Sequence, residues 1–224
     1  MHPNYFGMDG AIARFLQFMP GGFFGERYTA HDGERRYKVD AHRTLTALLP
    51  LDRATDATDA DGTTLATAFK KDQLWMHMPS LQESARLREV LAKFGGAFLR
   101  AAAAFAHGEL AAGIAGMRKA IAPHRSLSWP IATYLSFLWS PDTHMFLKPN
   151  VTRDFAERIG HHFAVDYDPE ISGEVYRSLL GLADHTALGI AQLRPVDKID
   201  VQSFIWAVGE YRAEDLAVEG QLAH

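Results

Sequence analysis

The chain contains no cysteine. That excludes disulfides, thiolate metal ligands and a cysteine nucleophile together. It also has no apolar run near the length of about 20 residues that a membrane-spanning helix needs. The start, "MHPNYFGMDGAIARF", lacks the basic-then-apolar layout of a secretory signal. These absences point to a cytoplasmic protein. Charge of one sign is not in large excess either: the net charge is −4 over 224 residues, which argues against wholesale coating of nucleic acid.

Several chemical signatures are missing as well. There is no G-x-S-x-G nucleophile elbow and no phosphate-binding lysine loop. "GGFFGERY" lacks the strand-turn-helix context of a dinucleotide fingerprint. The 11 histidines do not fall at i, i+4 around a glutamate, nor in repeated Glu-x-x-His pairs, so no metal site is expected. In "DADG", Asp59, Asp61 and Gly62 match positions three, five and six of a calcium loop. Ala57 and Ala68 stand at positions one and twelve, so the bidentate carboxylate is lacking. No catalytic residue, cofactor or metal is assigned.

What is present is helical periodicity. Hydrophobic residues make up 47% of the chain, enough for a real core at this length. "DGAIARFLQFM" sets Ile12, Phe15, Leu16 and Met19 on one apolar face, and "PGGFFG" breaks it. "ERRYKVDAHRTLTALL" brings Tyr37, Ala41, Leu45 and Leu48 to one side and leaves the other charged. Residues 52–64, acidic and small, read as a surface loop. Ser80 and Glu83 form a capping box for a helix that the glycine pair after Phe94 should end. Two alanine-rich helices follow, and "SWPIATYLSFLWS" is apolar on all sides and therefore buried. Ser172 caps a long helix, and Asp197 or Asp200 caps the last. The expected fold is mostly α, a single-domain multi-helix bundle-like arrangement with at most one short β-hairpin, near Phe163 to Tyr167.

Three constellations could carry function. In "HMFLKPNVTRDFAERIG", a helix starting at Pro149 or Asn150 places Lys148, Asn150, Thr152 and Arg153 around free backbone N–H groups, where an anion can sit; the alternative is that Asn150 only caps. Residues 81–125 carry seven basic and three acidic side chains, residues 165–220 four and eleven. Arg86, Arg88, Lys93, Arg118 and Lys119 could therefore face a polyanion, or the two halves could attract each other. Trp129, Asp200, Gln202, Ser203 and Trp206 could line a pocket near Lys148, with both tryptophans expected in the core.

Read together, "WP…SPDTHMFLKPNVTRDFAERIG…Y…IDVQSFIW" and the early "PGGFFGERYTAHDGERRYKVDAH" resemble a family of small, mostly helical bacterial proteins associated with restriction and defence gene settings. The residues that carry the likeness are Trp129, Pro130, Phe146, Leu147, Lys148, Pro149, Asp200, Gln202, Ser203 and Trp206. It implies no catalytic residue. "KPNVTRDFAERIG" is also similar to the second half of helix-hairpin-helix DNA glycosylases, without their L-P-G-V-G hairpin. The leading expectation is a non-enzymatic module that binds nucleic acid or a partner protein. The alternatives are a small enzyme with a pocket between the Lys148 segment and the last helix, and an interaction protein with no ligand site.

Overall fold

The computed structural model describes residues 5–71, 78–122, 126–212 and 214. The chain forms α1 (Gly7–Phe18), α2 (Glu26–Thr29), α3 (Glu34–Leu48), α4 (Leu51–Ala54), α5 (Asp59–Lys70) and α6 (Leu81–Ala106). These are followed by α7 (Leu110–Ile121), α8 (Trp129–Trp139), α9 (Pro149–Ile159), α10 (Phe163–Asp166), α11 (Gly173–Gly189) and α12 (Lys198–Glu210). Short 3-10 turns occupy Gly22–Phe24 and Ala191–Leu193. No strand occurs among the described residues, so the bundle-like, mostly α expectation holds. No helix among them is long and apolar enough to cross a membrane.

Helix α8 is the axis. Every one of its residues is buried, as its all-round apolar sequence requires. The buried side chains of the other helices join it in one connected core.

The anticipated caps are in place. Ser80 and Glu83 exchange both bonds of a capping box, Ser172 accepts from Val175 N, and Asp197 accepts from Asp200 N.

Five local expectations are corrected. Residues 52–64 are not a loop: α4, a turn and the start of α5 occupy them. Thr58 and Asp61 form a second capping box that nucleates α5, so the acidic residues sit in its first turn, where the helix dipole favours them. Phe163 to Tyr167 is not extended but carries the single turn of α10. Asn150 does not cap α9: Lys148 holds the N-cap position without a side-chain bond, Pro149 opens the helix, and Asn150 lies exposed within its first turn. In α1 the buried residues are Ala11, Phe15 and Phe18, which turns Leu16 outward.

The fifth correction concerns the glycine pair. Helix α6 does not end at Gly95-Gly96 but kinks at Phe94, with φ −139° and ψ 31°. A kink frees an N–H from its intrahelical partner, and here Asp59 Oδ1 accepts from Gly96 N at 2.8 Å. Gly95 also meets Gly62 of α5 backbone to backbone. A Cβ on either would fall inside the other's main chain. Glycine lets the two helices touch. Gly62→Ala should therefore cost about 1–3 kcal/mol through forced separation of the helices, although alanine is the better helix former. Denaturant unfolding checks this, and a stability at or above that of the parent protein would refute the close packing.

Candidate functional site

Among the described residues, the largest concentration of buried charge joins the start of α3 to α12. Tyr28 donates to Asp200 Oδ1 at 2.5 Å, and Arg35 Nη1 reaches the same oxygen at 2.5 Å. Arg35 also grips Asp197 through both terminal nitrogens, at 3.1 and 2.8 Å. The second Asp200 oxygen accepts from Val196 N at 2.7 Å. One turn along each helix, Lys38 Nζ donates to Glu34 Oε2 and to Ser203 Oγ, both at 2.7 Å. Tyr37 and Tyr211 donate to the two oxygens of Glu34, at 2.7 and 2.8 Å.

Lys38 is 1% exposed, Asp200 1% and Glu34 6%, so these charges are held by each other rather than by water. Burial alone would raise the Glu34 carboxyl. Attraction to Lys38 and the bonds from Lys38, Tyr37 and Tyr211 outweigh it and leave the group below its usual range. Burial pushes the Lys38 ammonium down, and Glu34 opposes that only in part. Burial, then the Asp200 charge, raises the Tyr28 phenol well above its ordinary value.

Asp200 and Ser203 therefore face α2 and α3. Gln202 and Trp206 lie i, i+4 on another face of α12. The expected pairing of Gln202 and Ser203 toward Lys148 is thus split, since the lysine that meets Ser203 is Lys38. Gln202 is buried, and its Oε1 has no hydrogen-bond partner among the described residues. Trp206 is half-buried rather than core. Trp129 is buried, donates its indole N–H to Asp168 O at 2.8 Å, and stands apart from this pair.

Lys148 Nζ lies 5.2 Å from the centre of the Trp206 ring, within cation–π range. Among the described residues it forms no ion pair or hydrogen bond. Burial lowers its pKa, against the opposing pull of Glu83 and Glu210. Beside it an open groove of about 350 Å³ runs between α9 and the end of α12, bordered by Asn150, Arg153, Asp154, Glu157, Glu210 and Arg212. Thr152 is buried and does not reach this groove's border.

The basic stretch does not form a bare cationic face. Lys93 pairs with Glu89 at 3.0 Å. Arg118 lies 3.8 Å from Glu170 and donates to Ile171 O at 3.1 Å, which is the basic half meeting the acidic half. Arg86 sits with Glu89 in a shallow pocket, Arg88 is half-buried, and Lys119 is exposed. No family model matches the chain, and no curated protein or solved structure matches it either.

Sequence reasoning missed Tyr28, Glu34, Arg35 and Lys38. The signal was the Glu34–Lys38 spacing of four, which periodicity assigns to a solvated face. Removing one partner of a buried pair leaves the other charge uncompensated, so Lys38→Ala should cost about 3–5 kcal/mol. Lys38→Met combined with Glu34→Gln should recover most of that loss. Denaturant unfolding of both variants checks it: a double variant no better than the single would show that the pair is not the cause.

The histidines supply a separate effect. His161 packs against His162 and His185, with ring centres 4.1 and 5.2 Å apart, and His162 Nε2 lies 3.5 Å from Asp166. Burial, then the charges of His162 and His185, pull His161 down to about 4. Its folded pKa is thus below the unfolded one, near 6.5, so the folded state binds fewer protons between these values. Stability should fall as pH drops from about 6.5 to 4. His161→Gln should flatten that part of the Tm-against-pH curve. An unchanged slope would exclude His161 as its source.

Proposed function

We propose that this protein is a non-enzymatic binding module that engages a partner protein through the groove between α9 and the end of α12. The observation that carries this reading is the mixture of charge along the groove. Arg153 and Arg212 border it together with Asp154, Glu157 and Glu210. Three carboxylates beside two guanidiniums disfavour a phosphate backbone, whose binding needs an excess of cations. The same mixture suits a polypeptide, which offers donors, acceptors and both signs of charge. Lys148 does not line the groove, but it is half-buried and feels the charge of Glu210 on the groove's rim, and it supplies a cation near it for a partner carboxylate.

The pairing of Lys93 with Glu89 and of Arg118 with Glu170 also weakens the case for a polyanion on α6 and α7. In the restriction or defence setting implied by the family resemblance, such a module would join a DNA-processing assembly by protein contacts.

A photo-crosslinking residue tests this. Introduced at Asn150, which is exposed at the groove's edge, it should give a protein adduct in cells, whereas the same residue at exposed Glu174 should not. Lys148→Ala combined with Arg153→Glu should reduce the adduct about tenfold, as loss of interfacial charge contacts implies. Equal adducts from both positions would overturn the reading. Salt-sensitive binding of a fluorescent DNA duplex by the parent protein would replace the partner protein with nucleic acid.

A further inference from the structure

We infer that the corner formed by Leu16, Phe24, Leu193 and Arg194 is a second docking surface, for a polypeptide segment carrying an apolar side chain next to a carboxylate. None of these residues borders the α9–α12 groove, so the inference is independent of the reading above.

The corner is where two turns of the chain meet. Gly22, in the left-handed region at φ 63°, sits between Leu193 and Leu16: a Cβ built on it would lie 3.7 and 3.8 Å from their Cδ2 atoms. Leu16 is 38% exposed and Phe24 58%, and Leu193 is half-buried. A lone exposed leucine has no meaning, but an exposed leucine and an exposed phenylalanine at one junction, with Leu193 half-buried beside them, offer apolar contact of the kind an interaction surface uses. The periodicity of α1 had assigned Leu16 to the core, so its exposure here is a departure from the pattern.

Arg194 supplies the charge. Its Cζ lies 4.5 Å from the centre of the Phe24 ring, so the guanidinium covers an aromatic face. Among the described residues it has no carboxylate or hydrogen-bond partner. The nearby Asp197 and Asp200 are already held by Arg35. Arg194 is also the only non-glycine among the described residues with positive φ, at 55°. It is the left-handed residue that ends the Ala191–Leu193 turn, which fixes where its side chain leaves the chain. An arginine held against an aromatic ring with its donors free is arranged for bidentate capture of a carboxylate, and aromatic–arginine pairs are typical anchors of protein interfaces. The adjoining leucines and Phe24 select a protein segment rather than a free anion.

A phage-displayed library of random peptides, panned against the intact protein, tests this. The parent should enrich peptides in which an apolar residue is flanked by Asp or Glu. Arg194→Glu should lose that motif and favour Lys or Arg flanks, and Phe24→Ala should weaken the best parent-selected peptide at least tenfold in fluorescence polarisation. Both positions are exposed, and unchanged Tm values would show that the variants fold. No enrichment by the parent, or the same motif from Arg194→Glu, would overturn the inference. Selection of phosphopeptide mimics without an apolar residue would assign the corner to an anion instead.

Discussion

Asp200 must be neutralised inside the protein, and much of the structure near α12 is arranged to do it. A carboxylate with 1% exposure cannot rely on water, and its desolvation would cost several kcal/mol if unpaired. Tyr28 from α2, Arg35 from α3 and the Val196 backbone all converge on it. The Tyr28 and Arg35 contacts span 172 and 165 residues of sequence, so forming them ties α2 and α3 to α12. The Glu34–Lys38–Ser203 set repeats the arrangement one turn along. A buried ionic cluster adds little net stability compared with apolar packing, but it admits few alternative registers. Here it fixes α3 against α12, and through α12 the position of Trp206 beneath Lys148.

Helices that bury one kind of chemistry could be read from the chain directly. The fully apolar α8, the Ser80–Glu83 box and the Ser172 cap depend on residues close in sequence, and they appeared as expected. Residues whose role depends on another helix were not readable in the same way. Glu34 and Lys38 look like a surface i, i+4 pair, and only Ser203 and Tyr211, far along the chain, make that face interior. The Thr58–Asp61 box was hidden because a run of small acidic residues resembles a loop until a helix grows from it. Lys148 was singled out from sequence, but as part of a helix N-terminus. Its structural distinction is different: it rests on an indole and feels Glu83 and Glu210 only at a distance, with no direct ion pair among the described residues.

The two candidate surfaces differ in the same physical respect. Along α9 and α12 the charges are mixed and partly paired, as for Arg158 with Asp154 at 2.8 Å. At the Phe24–Arg194 corner one guanidinium lies over an exposed aromatic ring. The first suits a polar rim, the second the anchor of an interface. The ionic cluster holds Asp197 and Asp200 with Arg35, while Arg194 lies exposed over Phe24.

The bond from Gly96 N–H to Asp59 has a consequence for how local motion would be observed. An amide inside a long helix is ordinarily shielded from solvent exchange by its own helix. At the kink in α6 that shield is a carboxylate on a neighbouring helix instead. Hydrogen exchange at Gly96 therefore reports whether α5 is docked, even while the two arms of α6 on either side remain fully helical.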